Sequence, residues 1–247
     1  MPSLDFKGKS FIYTHHLGVP YRELLVVPEK SCPAEGKQPD LDDNLILHGD
    51  NLDALKALLP RYAGRVDCIY IDPPYNTGNE GWCYNDAVRS PLIREWLKKS
   101  ANPVDKEDLE RHDKWLCMMW PRLQLLRELL AEGGAIFVSI DDNEVHRLRG
   151  VMDDVFGEDN FVSAIAWQKR QSPDNDETYL TAVHDYVLVY AKQKSNLTLR
   201  RLSRTEEADA RYENPDSDSR GVWTSSDITR REYREHDFYP IKLPSVR

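Results

Sequence analysis

Short apolar runs alternate along this chain with segments whose apolar residues fall at helical spacing. Val66-Asp-Cys-Ile-Tyr-Ile71 reads as a buried strand of a parallel sheet, and residues 135–140, 161–167 and 184–190 repeat that kind of run. Residues 45–47, within Asn44-Leu-Ile-Leu-His-Gly, give a further short strand. Residues 52–59 read as a helix with positions 52, 55, 58 and 59 on one face. A second helix runs from Trp115-Leu-Cys-Met-Met-Trp-Pro-Arg122-Leu123 to Leu130, with Gly133-Gly134 as its stop. A short helix is expected at residues 92–99. Residues 1–43 form an amino-terminal arm, in which 28–43 is rich in Pro, Gly and charge and reads as loop. Residues 44–191 carry the α/β pattern. From Lys192 onward the pattern breaks into polar and charged residues, with Asn214-Pro-Asp-Ser-Asp-Ser-Arg-Gly221 as a linker-like run.

The strand at 66–71 ends in Asp72-Pro73-Pro74-Tyr75, followed by Asn76-Thr77-Gly78. Prolines lack a backbone donor, so they stop the strand and stiffen the turn. The carboxyl ends of strands in open α/β sheets are where ligands bind. This turn offers a carboxylate, rigid carbonyl oxygens and an aromatic face in a small space. Such groups suit a planar base with an exocyclic amine: the carboxylate and a carbonyl accept its N–H bonds, and Tyr75 stacks on the ring. The plain alternative is an ordinary strand with a proline turn. About twenty residues upstream, Asp50-Asn51 precedes the first helix, where Asp and Asn are favoured N-caps. Capping and ligand contact can be divided between the two.

These blocks, taken in order, resemble the β-class DNA amino-methyltransferases, nearest to the methyltransferase subunits of type III restriction–modification systems. The resemblance begins at Phe6-Lys-Gly-Lys and Tyr13-Thr-His-His and runs to the last residues. It implies a Rossmann-like, S-adenosylmethionine-dependent methyltransferase fold, a mixed and mostly parallel sheet, incomplete in this chain. It implies Asp72, Pro73, Pro74 and Tyr75 as the catalytic turn. An Asp at its first position fits N6-adenine methylation, where a Ser is typical of N4-cytosine enzymes. It places Asp50, with Asn51, at the cofactor S-adenosylmethionine. It implies double-stranded DNA as partner and a restriction helicase–nuclease subunit as a further one, and leaves the oligomeric state, a homodimer included, open. Residues 192–247 would begin a target-recognition region. Methylation of an RNA or protein amine stays open, because the amine-binding turn does not itself recognise DNA.

Composition narrows the setting. At 247 residues, 40% hydrophobic and 10% aromatic, the chain fits a globular protein. The first ten residues carry charge and no apolar run, and no stretch approaches the ~20 apolar residues of a membrane span. The cysteines at 32, 68, 83 and 117 show no close pairing, and Cys68 in a strand and Cys117 in a helix are expected to be buried, reduced thiols. A cytoplasmic protein without a metal site is the expectation. The net charge of −9 runs mildly against nucleic-acid binding, but it is uneven. Residues 192–247 hold 12 basic and 10 acidic side chains, a net of +2, leaving −11 for the rest. The clusters Arg200-Arg201-Leu-Ser-Arg204 and Arg230-Arg231-Glu-Tyr-Arg234 read either as phosphate contacts or as solvated surface.

Residues 76–113 form a long segment, and loops of that length are usually functional. Trp82 and Tyr84 within it could close over a flipped base or pack against the sheet. The aromatic-x-Gly-x-Gly cofactor turn of the resembled family does not occur in these 247 residues. The two strands that follow that turn are central to the family's sheet. Without them, residues 45–47 have no strand linking them to the strand at 66–71, and apolar edges are left exposed. Three readings follow: the amino-terminal part of an adenine methyltransferase whose activity needs further sequence; a catalytically silent DNA-binding or assembly subunit; or a truncated product without function.

Overall fold

Four strands hydrogen-bond into one mixed sheet in the computed structural model, which describes residues 3–33, 35–79, 82, 86, 110–170, 182–200, 203–215, 217 and 219–224. The chain divides into two compact units, Met1–Thr198 and Leu199–Arg247. In the first unit α1 (Lys9–Ile12) and α2 (His15–Gly18) precede α3 (Asn51–Tyr62), β1 (Val66–Ile71) and α4 (Arg111–Leu129). Then come β2 (Leu130–Ile140), α5 (Val145–Phe156), β3 (Phe161–Gln168) and β4 (His184–Ala191). The strand order is β1-β2-β4-β3. β1 and β2 are parallel, with Ile69 beside Ile136 and Ile71 beside Val138, and β4 is antiparallel to both of its neighbours. The second unit contains α6 (Glu206–Asp209) and a bridge between Glu213 and Trp223.

The four longer runs expected as strands all form, and so do both long helices. α4 is buried along much of its circumference: Trp115, Leu116, Met119, Trp120 and Leu123 are at most 2% exposed. They pack with Ile136, Val138 and Ile140 of β2 and with Leu148, Val151 and Met152 of α5. The arm joins this core through Phe6 and Ile12, while Val19 joins a smaller cluster with Leu52, Leu59, Leu125 and Leu129. Residues that pattern analysis places on one face of α3 therefore meet α4. No helix among the described residues is long and apolar enough to cross a membrane.

Four expectations need correction. The strands at 66–71 and 161–167, expected to be buried, hold no buried residue, because β1 and β3 are the end strands of the described sheet. Residues 45–47 do not form a strand: among the described residues no neighbouring strand receives their backbone groups, and Ile46 is 99% exposed. Cys68 is exposed, not buried, because it shares with Tyr70 the face of β1 that no helix covers. Tyr70 is accordingly 63% exposed, and Trp167 on β3 is 65% exposed. Gly133-Gly134 do not stop α4. The helix ends at Leu129, Leu130 is already extended and paired with Val66, and both glycines lie in β2 where its register against β1 shifts. A Cβ at Gly134 would stand 2.8 Å from the Val66 carbonyl oxygen, so glycine is required there by close backbone approach. The expected helix at 92–99, Tyr84, Cys83 and the cluster at 230–234 lie outside the described residues.

Candidate active site

The turn after β1 is pinned at successive residues by side chains from distant elements. Ser139, near the end of β2, donates its hydroxyl to Asp72 Oδ1 at 2.6 Å and to the Ile71 carbonyl at 3.3 Å. Because Ile71 lies beside Val138, Ser139 falls one residue further along, next to Asp72. Trp115 donates its indole N–H to the Pro74 carbonyl oxygen at 2.6 Å. Asn76 is fully buried, and its amide donates to Glu144 Oε1 at 2.5 Å. Tyr75 is half-buried and packs against the main core. Burial pushes its phenol up first, and the Asp72 carboxylate adds to that, while a hydrogen bond with Ser139 opposes it. The Tyr75 hydroxyl thus belongs to one polar group with Asp72 and Ser139.

Asp50 is the N-cap of α3, its Oδ1 accepting from the amides of Leu52 at 2.9 Å and Asp53 at 3.2 Å. This is the capping role, and it leaves Oδ2 for a ligand. Asn51 accepts from Arg122 Nε through Oδ1 at 2.8 Å, which leaves its amide donors. Arg122 also grips Asp86 with two bonds of 2.6 and 2.7 Å, a bidentate pair whose Asp86 side chain is 1% exposed. That pair ties the segment after the turn to α4.

A cavity of about 430 Å³ lies between the carboxyl end of β1, α3 and α4. Asn51, Asp72, Pro73, Pro74 and Arg122 supply its polar and proline wall, with leucines, Ile71 and two methionines making up much of the rest. Its size and mostly apolar lining suit a small-molecule site with a few placed polar groups. The structure thus brings Asn51 together with Asp72, Pro73 and Pro74, while Asp50 and Tyr75, their chain neighbours, are not part of that wall. Trp82 packs against the core.

Sequence reasoning did not single out Ser139, Trp115, Asn76, Arg122 or Glu144. Ser139 and Arg122 carried a signal: each is a polar residue inside an otherwise apolar run, and a buried polar side chain calls for a reason. Glu144 carried none, since it stands in a run of acidic residues that reads as surface.

The comparisons fit this geometry. A family model described as DNA methylase matches residues 66–245. The Mod subunit of the type III restriction-modification enzyme EcoP15I from Escherichia coli is 36% identical over 212 residues, covering 79% of this chain and 31% of that protein. The EcoPI Mod subunit of Escherichia phage P1 is 36% identical over 247 residues, covering 93% and 36%. The StyLTI Mod subunit of Salmonella typhimurium is 38% identical over 197 residues, covering 76% and 29%. The chain thus spans about a third of the length of these relatives. With the family model covering most of the chain, and the Asp-Pro-Pro-Tyr turn seated at a strand end beside an apolar cavity, the chain belongs to the DNA methylase family.

Proposed function

We propose that this chain carries the catalytic turn of an S-adenosylmethionine-dependent methyltransferase acting on adenine N6 in DNA, within a restriction–modification system. We propose further that it works as part of a polypeptide of its relatives' length, since the glycine-rich cofactor turn is absent from these residues. The observation that carries the reading is the Asp72 carboxylate, held by Ser139 at the mouth of the cavity that Asn51 also lines. The Mod-subunit relatives support the restriction–modification setting, and the family resemblance implies a helicase–nuclease subunit as a further partner.

An exocyclic amine is a poor nucleophile because its lone pair is delocalised into the ring. Asp72 and the Pro73 carbonyl, which unlike that of Pro74 is not engaged by the Trp115 indole, accept its two N–H bonds and draw the nitrogen toward tetrahedral geometry. Positive charge then grows on that nitrogen, and the carboxylate stabilises it. S-adenosylmethionine, when bound, supplies an electrophilic methyl group; Asp50 Oδ2 and the Asn51 amide, which their capping and Arg122 bonds leave over, would hold it. Fixing the amine relative to the methyl lowers the barrier further. The target base must leave the duplex to reach this turn. Tyr75 would stack on it, worth about 1–3 kcal/mol.

Replacing Asp72 by Ala is expected to lower methyl transfer at least about a hundredfold, as loss of one charge-stabilising group does. DNA affinity should stay within about threefold, because a carboxylate repels phosphates and the cationic groups that carry backbone affinity are left unchanged. Transfer of labelled methyl to mixed-sequence genomic DNA, read beside filter binding of the same DNA, checks this. Equal loss of both activities would make Asp72 structural. Retained DNA binding by a wild-type polypeptide of its relatives' length that transfers no methyl would favour the silent DNA-binding subunit instead.

A further inference from the structure

Asn76, directly after the catalytic turn, combines two uncommon properties. It is fully buried, and its φ of 60° lies in the left-handed region, which is sparsely populated by residues other than glycine. Such conformations persist where the surroundings fix them. Here the fixing group is Glu144, itself fully buried. Asn76 Nδ2 donates to Glu144 Oε1 at 2.5 Å and lies 3.3 Å from the Arg111 carbonyl oxygen. His112 Nδ1 meets the same carboxylate oxygen.

Glu144 stands at the N-cap of α5, yet its side chain makes no capping bond to that helix. It is turned toward Asn76 instead. Among the described residues its Oε2 has no hydrogen-bond partner, and the nearest cation there is Arg147 Nη1 at 3.6 Å. A buried carboxylate satisfied on one side only is costly, and fold stability alone would be better served by an apolar residue. What the carboxylate accomplishes is to join three segments: the turn after β1, the first turn of α4 and the start of α5. With Trp115 on Pro74, it leaves Tyr75 between two fixed points.

We propose that Glu144, acting through Asn76, is a positioning residue that sets where Tyr75 and the Asp72 turn stand during methyl transfer; this rests on the methyltransferase reading above. Three variants separate the role from general folding. Asn76→Gly keeps the left-handed backbone and removes the grip. Glu144→Ala removes the acceptor, and Glu144→Gln restores an acceptor of the same shape with a weaker, uncharged bond.

Hydrogen exchange of the peptide spanning residues 72–79, followed by mass spectrometry in the full-length polypeptide, should speed up about tenfold or more in Asn76→Gly and Glu144→Ala, with residues 66–71 unchanged. In methyl transfer to genomic DNA the same variants should lose about ten- to a hundredfold in kcat, with KM for S-adenosylmethionine within about twofold. Glu144→Gln should recover part of the loss. Unchanged exchange at 72–79 overturns the proposal. So does faster exchange with unchanged kcat, or a uniform rise in exchange with full activity per folded molecule. If the wild-type protein transfers no methyl group, the enzyme reading fails, and the exchange data still decide whether Glu144 holds the turn.

Discussion

The Ser139 hydroxyl sits inside an apolar strand and engages the Asp72 carboxylate, so one residue of β2 fixes the rotamer of the acid at the end of β1. The turn itself was legible from Asp72-Pro-Pro-Tyr75, because proline chemistry acts locally. The pairing with Ser139 was not, because it spans 67 positions and depends on the β1–β2 register. The cysteines make the same point. Cys117 was expected to be buried and is; its thiol donates to the Lys7 carbonyl oxygen at 3.5 Å, and burial, then the charges of Asp113 and Asp86, push it far above the ordinary thiol range. Cys68 was expected to be buried and is not. Since the thiolate is the reactive form, iodoacetamide should label Cys32 and Cys68 in the native chain and reach Cys117 only after unfolding. Peptide mapping by mass spectrometry checks this; rapid native labelling of Cys117 would contradict the packing around α4.

The amino-terminal arm buries few of its apolar residues, Phe6, Ile12 and Val19 among them, and stays docked through specific contacts. Its loop at 28–43 was evident from Pro, Gly and charge, but its seating was not. Ile12 is buried in the main core, Trp120 donates its indole N–H to the Tyr13 carbonyl at 3.1 Å, and Lys56 donates to the His16 carbonyl at 3.0 Å. Lys56 also stands 4.8 Å from the Tyr21 ring centre. His16 has its pKa lowered below the usual 6.5, first by burial and then by the charges of Lys56 and His15, with Glu128 opposing. A base with a depressed folded pKa binds fewer protons folded than unfolded in that range, so stability rises with pH there. This contribution is whole above pH 6.5 and is lost as the pH falls below it. The melting temperature should therefore hold steady from about pH 8 to 7 and decline from about pH 6.5 to 5. His16→Gln should flatten that decline. A decline identical in wild type and variant would assign it to other groups.

On the scale of the whole molecule, the described helices pack on one face of the sheet, and Tyr70, Ile165 and Trp167 on the other are exposed. β1 is an end strand of the described sheet, and residues 45–47 lie outside it with Ile46 exposed. The cavity beside Asp72 borders Leu47 and Gly49 from this same unpaired stretch, so one wall is set by backbone that no ladder fixes. We therefore expect residues 1–247 alone to show no micromolar binding of S-adenosylmethionine by titration calorimetry, after a cooperative melt has been established. Micromolar binding would mean that these residues complete a cofactor pocket without further sequence.

The sequence by itself determined the kinds of element, their order and the place of the Asp72-Pro-Pro-Tyr75 turn. Hydrophobic period is a local property, which is why the strands at 66–71, 135–140, 161–167 and 184–190 and both long helices could be read directly. Only the tertiary structure decided which side chains complete the site. Ser139 against Asp72, Trp115 against Pro74 and Glu144 against Asn76 are contacts across 67, 41 and 68 positions. It also decided against the strand at 45–47 and the burial of Cys68. A strand exists only where a neighbour accepts its backbone bonds, and a strand face is buried only where a helix covers it; neither condition is written in the residues themselves.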